Sequence, residues 1–455
     1  MADMRGDGMV DAARRWSAAA QGRAIGEGRL DPVALAEAYL DAAASHPDAA
    51  RIYARLTPTR ARAEAEAARA RALAGNRLGP LDGVPVAWKD LVDTAGVATE
   101  AGCRMLAGRV PDADAPALRT ATEGGSVCLG KTHLSELAFS GLGINPMAAT
   151  PPNRQGAHLA PGGSSSGAAA ALVADLAPLS IGSDTGGSVR IPAAWNDLVG
   201  LKTTAGLIPT EGCLPLAPSL DTLGPLARDV EDAALGLALL TGEMPVPLAN
   251  VQARGMGLFV PETVALEDLE APIDAGFEMA VTDLANAGVR LTRGPLPAFA
   301  TVLQVAADLS PVVTYEGWMA WGAEIEAHPD VMWPPIERRF RQGLTVSDEK
   351  DAEARRRFAE LREAVVTDIE EHGLIAMPAV AMAAPAVAPL LTDLETFAAR
   401  NLKALRNTRL INLLGLCAIT VPTNTPMCGM MIVGPPGAEA QILRAARAVE
   451  RALVD

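Results

Sequence analysis

Cysteine and histidine are scarce in this chain, and neither is arranged to build a disulfide frame or hold a metal. The five cysteines, Cys103, Cys128, Cys213, Cys417 and Cys428, are odd in number and none stands in a C-x-x-C pair, which speaks against a disulfide scaffold and a zinc site. They read as small buried hydrophobes. The five histidines, His46, His133, His158, His328 and His372, form no H-E-x-x-H or other ligand cluster, so no metal is expected. Positive charge is short as well: 39 Lys and Arg stand against 54 Asp and Glu, a net charge of −15. Nucleic acid is therefore not an expected partner, because phosphate binding needs clustered Lys and Arg.

Long apolar runs are missing too. The best candidate, Ala168 to Leu179, is interrupted by Asp175, so no membrane span is expected. Met1 to Arg15 carries Arg5, Arg14 and Arg15 without an apolar h-region, which is not a secretory signal, and a cytoplasmic location follows as the expectation. There is no long Ser/Pro tract, no block of like charge and no fixed repeat. At 455 residues and 49% hydrophobic content, the chain is expected to form one large body, a monomer or homodimer, rather than a string of domains.

What is present begins with helix signals. Asp31-Pro32 is a cap followed by proline at the first helical position, predicting a helix to Ser45 that stops at His46-Pro47, and a second helix is expected from Thr59 to Ala74. Val84 to Trp88 reads as a strand delivering Lys89 to its carboxyl end. Helix and strand signals then alternate: a helix from Asp114 through Glu123, a strand over Ser126 to Leu129, an element over Leu134 to Phe139, a helix over Ala168 to Ala174 and a strand over Leu179 to Ile181. A helix over Asp229 to Thr241, strands at 374–378, 418–421 and 430–433, and a closing helix from Gln441 to Leu453 complete the pattern. Such alternation predicts an α/β layer fold.

Two loops carry the chemistry. In Gly182-Ser183-Asp184-Thr185-Gly186-Gly187-Ser188, paired glycines let successive N–H groups converge on one point, so Thr185, Gly186, Gly187 and Ser188 are candidate donors to an oxyanion. In Pro161-Gly162-Gly163-Ser164-Ser165-Ser166-Gly167, three hydroxyls stand at the start of an alanine-rich helix, as nucleophile, relay or plain helix caps. The same segment matches G-x-S-x-G with Ser165 as nucleophile, but that elbow needs an apolar strand before it and Leu159-Ala160-Pro161-Gly162 is a poor one. Lys89 can act as a base only when neutral, and its apolar company, Val86 and Trp88, is what would lower its pKa.

These loops resemble the signature of the amidase signature family. The resemblance rests on Pro161 to Gly167, on Gly182-Ser-Asp-Thr-Gly-Gly-Ser-Val-Arg-Ile-Pro-Ala193, and on spacings of 75 residues from Lys89 to Ser164 and 24 from Ser164 to Ser188. It extends to Leu81 to Val86, Ser219 to Pro225 and Arg406 to Leu416. It implies a large mixed central sheet between helical layers, Lys89 as base, Ser164 as a bridging serine after a cis peptide bond, and Ser188 as nucleophile forming an acyl-enzyme, with no cofactor needed. On this reading 1–455 is a single amidase signature domain, with helices over 1–75, the catalytic core over 76–245, a variable substrate-lining region over 246–372 and a return to the core over 373–455.

The implied activity is hydrolysis of amides, with esters and carbamates as further substrates of the same attack. The alternative is a glutamine-hydrolysing amidotransferase component, from which the chain departs at Arg190-Ile191-Pro192, where Gln-Pro is usual, and at Gly212 to Ala217, which has no tyrosine. Phe139 to Pro146 with Tyr315 to Trp321 resembles a branch of bacterial aryl amidases and urethane-cleaving enzymes. Gly141, Leu142, Met147, Trp318 and Trp321 are accordingly expected to line an apolar pocket.

Overall fold

The computed structural model describes residues 7–454. Eleven strands form one mixed sheet in the order β1-β3-β2-β4-β6-β5-β10-β11-β9-β7-β8. They are β1 (Tyr53–Leu56), β2 (Pro85–Lys89), β3 (Val127–Thr132), β4 (Leu179–Ser183), β5 (Val199–Lys202), β6 (Leu223–Ala227), β7 (Gly257–Pro261), β8 (Arg290–Gly294), β9 (Leu374–Pro378), β10 (Cys417–Pro422) and β11 (Gly429–Gly434). The strands β3, β2 and β4 run parallel, β4 through β9 pair antiparallel, and β9, β7 and β8 are parallel again.

Every residue of β2, β3, β4, β5, β6, β9 and β11 is buried. Both faces of a strand buried in this way must be covered, and helices do it. Ser166–Val173 packs on β4, Val230–Thr241 on β6, Arg190–Trp195 on β5 and β10, and Glu439–Val454 on β10 and β11. The edge strand β8 is largely exposed and carries Arg290 and Arg293, charges that discourage pairing with another sheet edge. This is the α/β fold with a large mixed sheet that the sequence implies.

Local signals explain most boundaries. Asp31 caps the helix Pro32–Ser45 by accepting from Val33 N at 2.8 Å, and Asp229 caps Val230–Thr241 through Asp232 N at 2.8 Å. The region 1–75 is not only helical: β1 lies within it and pairs with β3. The segment Leu134 to Phe139 is not a regular element but a short 3₁₀ turn over Glu136–Ala138, with Leu137 and Ala138 at φ of 45° and 59°. Non-glycine residues hold that region at a cost of about 1 kcal/mol or more each, and the turn leads Ala138 and Phe139 into the lining of a cavity beside Ser188. The apolar stretch Pro297–Ala327 is broken at Ser310-Pro311 into helices Pro297–Asp308 and Val313–Ala327, each too short to cross a bilayer.

Candidate active site

The strands β2 and β4 are parallel neighbours in register, Val86 against Leu179 and Trp88 against Ile181, so their carboxyl ends bring Lys89 and Ser183 side by side. Lys89 is fully buried. Its Nζ stands 2.7 Å from Ser164 Oγ and 2.8 Å from Ser183 Oγ. Burial pulls the Lys89 amine down from 10.5 to about 7, with Asp184 and Asp221 opposing more weakly. Ser164 follows a cis peptide bond from Gly163. Gly163 has no room for a side chain, since a Cβ would lie 2.5 Å from Gly143 N.

The second serine has a different task. Ser165 Oγ donates to Ser183 O at 3.2 Å and accepts from Ser183 N at 3.3 Å, while Ser165 N donates to Ser188 O at 3.1 Å. It stitches the two loops together. None of the three serines caps the helix Ser166–Val173 through its side chain, and no strand precedes the segment, so neither the cap role nor the nucleophile elbow at Ser165 has its structural context.

Asp184 organises the second loop. Fully buried, it accepts from Gly187 N at 2.8 Å, Val189 N at 3.1 Å, Arg190 Nε at 3.0 Å and Asn412 Nδ2 at 2.9 Å. Burial pushes its carboxyl up, but the Arg190 guanidinium beside it prevails and holds it well below the usual carboxylate range. The Gly187 N–H is thereby spent on Asp184. Among the described residues, no acceptor meets the N–H groups of Thr185, Gly186 and Ser188, so the expected nest of four free donors is reduced to three. Flanking contacts hold the loop: Thr408 Oγ1 donates to Gly186 O at 2.7 Å and Thr185 Oγ1 to Asp221 Oδ1 at 2.5 Å.

Ser188, 4% exposed, lines a cavity of about 150 Å³ together with Thr185, Gly186 and Gly141. Phe139, Leu216, Leu405 and Leu413 supply apolar wall, and Arg339 and Arg409 are its charged residues. The pocket expected from the sequence is thus corrected. Gly141 lines it, held by Asn401 Oδ1 accepting from Gly141 N at 2.8 Å. Leu142 is fully buried in the core instead. Met147 sits on a turn held by Asn145. Trp321 is 7% exposed and donates from Nε1 to Pro215 O at 2.7 Å, and Trp318 packs against Gly322 and Gly343 under the Arg341 guanidinium. These tryptophans brace the helix Val313–Ala327, whose first turn supplies Val313 and Thr314 to the cavity.

Sequence reasoning missed Ser183, Asp184, Arg190, Thr408 and Asn412 as parts of the site, although all five lie within stretches that carried the family resemblance. It also missed Arg409, which lies in the same stretch as Thr408 and Asn412, and Arg339, for which the sequence offers no spacing signal.

Known proteins bear on what this arrangement does. The chain is 38% identical over 399 residues to 2-amino-5-chloromuconic acid deaminase of Comamonas testosteroni, covering 83% of each chain. It is 30% identical over 464 residues to one component of the glutamyl-tRNA(Gln) amidotransferase of Chloroflexus aggregans, covering 94% of each. A crystal structure of an amidase superposes with a TM-score of 0.85 at 28% identity, covering 96% of this chain and all of that one. The amidase family model matches residues 34–443, and the chain belongs to the amidase family.

Proposed function

We propose that the chain is a serine amidohydrolase in which Ser188 is the nucleophile, Ser164 the proton relay and Lys89 the base. The observation that carries this reading is the buried Lys89 amine, held near neutrality in pKa and 2.7 Å from Ser164 Oγ. A lysine with its pKa at about 7 is largely neutral at slightly alkaline pH, and its lone pair can take the Ser164 proton as Ser164 takes that of Ser188. Ser188 Oγ then attacks the substrate carbonyl, and its oxygen gathers charge before the N–H groups of Thr185, Gly186 and Ser188. Collapse breaks the C–N bond, the relay returns a proton to the leaving nitrogen, and an acyl-Ser188 ester remains. Water deprotonated through the same relay hydrolyses it to a carboxylate and restores Ser188.

The substrate is a small molecule with an accessible amide; esters and carbamates undergo the same attack. The relative from Comamonas testosteroni is named a deaminase of 2-amino-5-chloromuconic acid, which supports a small molecule over a peptide chain. The relationship to the amidotransferase component supports a second reading, glutamine as ammonia source. The test is labelling with an alkyl fluorophosphonate followed by peptide mass spectrometry, and ammonia release from small amides and from glutamine. Modification at Ser188, lost in Ser188→Ala together with ammonia release, is the expected outcome. Modification at Ser165, or turnover surviving Ser188→Ala, would refute the assignment, and glutamine as sole substrate would transfer it to the second reading.

A further inference from the structure

The cavity beside Ser188 contains a charge arrangement that hydrolysis of a neutral amide does not require. Arg339, from the helix Pro334–Arg341, and Arg409, from the helix Leu394–Leu413, both line it, and no carboxylate does. Neither arginine forms an ion pair among the described residues, although the protein has carboxylates in large excess. Each has a buried Nε without a hydrogen-bond partner there. The Arg339 guanidinium lies 4.4 Å from the centre of the Phe139 ring, a cation–π contact that supplies no hydrogen-bond acceptor to its N–H groups. Thr314 Oγ1, in a residue only 6% exposed, is a third unpartnered polar group on the same wall.

Two guanidiniums lining one cavity without counter-ions repel, and burial makes both charges harder to hold: it pulls Arg339 down to about 10, with Arg409 adding to the effect, and it lowers Arg409, with Arg406 adding there. An anion between them removes both costs, and a carboxylate suits the fork because it accepts two parallel hydrogen bonds. The apolar residues Phe139, Leu216, Leu405 and Leu413 occupy the rest of the wall, which fits a hydrocarbon spacer. We infer that the substrate is a monoamide of a dicarboxylic acid, its amide at Ser188 and its free carboxylate on Arg339 and Arg409. This inference rests on Ser188 as the nucleophile.

The test compares succinamate, glutaramate and adipamate with their uncharged counterparts butanamide, pentanamide and hexanamide. For the best acid of the series, wild type is expected to show a kcat/KM at least about 100-fold above that of its neutral partner, because charge-assisted bidentate contacts are among the strongest available. Arg339→Met and Arg409→Met should each reduce that ratio about tenfold or more, with the loss in KM, and Arg409→Lys should restore part of it. Binding of the same acids to Ser188→Ala by calorimetry provides a readout independent of turnover. Ratios near one in wild type, ratios that both arginine variants leave in place, or no acid binding to Ser188→Ala would each overturn the inference. Fluorophosphonate labelling at Ser188 would still stand in those cases. Acid binding that needs both arginines without labelling at Ser188 would instead overturn the hydrolase reading.

Discussion

Replacing Lys89 by methionine separates what the buried amine does for chemistry from what it costs the fold. The side chain is fully buried, and its pKa is pulled from 10.5 to about 7 chiefly by loss of solvation. One pKa unit corresponds to about 1.4 kcal/mol, so the depression amounts to about 5 kcal/mol against the charged form. Between pH 7 and 10.5 the unfolded chain binds a proton at this position that the folded chain does not, and stability therefore rises with pH. From pH 7.5 to 9.5 this single group contributes about 2–3 kcal/mol of increase. Lys89→Met removes that contribution. Urea unfolding of wild type and variant at both pH values, followed by tryptophan fluorescence, gives a double difference in which all other titrating groups cancel. The expected result is a wild-type gain about 2–3 kcal/mol larger than the variant's, accompanied by at least about a 1000-fold loss of kcat. In wild type, kcat/KM should climb to a plateau as pH rises through about 7. Parallel stability curves for the two proteins would show that Lys89 is not held neutral by the fold, and the base assignment would go with it.

Other substitutions probe the surrounding parts. Ser164→Ala is expected to lower kcat by about 1000-fold or more, whereas Ser165→Ala, which loses only contacts to the Ser183 backbone, should cost about 1 kcal/mol of stability and under about tenfold in kcat; equal kinetic losses would erase the distinction. Asp184→Asn leaves Arg190 buried without its ion-pair partner and should destabilise the fold by about 3–5 kcal/mol, read as a lowered urea midpoint; an unchanged midpoint would deny Asp184 its organising role. Trp318→Leu should leave the ratio of kcat/KM for an anilide and an alkyl amide within about twofold, because Trp318 is outside the cavity lining. A larger change would return it to the pocket.

Legibility in the sequence followed the range of the forces involved. Strands flanked by turn residues and rich in branched side chains, such as Val84 to Trp88 and Met430 to Val433, announce themselves, as does a helix opened by Asp31-Pro32. The strands β5 and β6 do not: Val199-Gly-Leu-Lys202 and Leu223-Gly-Pro-Leu-Ala227 contain the residues that normally break strands, and only their place between β4 and β10 makes them strands. Gly224 is needed there because a Cβ would lie 1.9 Å from Leu201 O across the strand pair. Lys89 stood out by its apolar company at the end of a strand, and Ser164 and Ser188 by the unusual composition of their loops together with the spacing that the family resemblance supplies. Asp184 and Arg190 were in view, but their pairing depends on a turn geometry that spacing does not encode.

The cavity's charge was the least legible feature, and the reason is geometric. Glu337-Arg338-Arg339-Phe340-Arg341 contains three arginines that composition cannot tell apart. Along a helix, residues three apart share a face, which groups Arg338 with Arg341 and turns Arg339 away from both. The grouped pair finds carboxylates, Arg338 at Glu395 and Arg341 at Glu337, while Arg339 turns toward Phe139 and the cavity. Its companion Arg409 comes from a different helix near the other end of the chain. Aromatic crowding in the sequence pointed to Trp318 and Trp321 as pocket walls for the same kind of reason: proximity along a helix was read as convergence on a site. Those rings instead hold the helix that carries Thr314, so they shape the cavity from behind, and the specificity of this member of the family is to be sought in the two guanidiniums that face it.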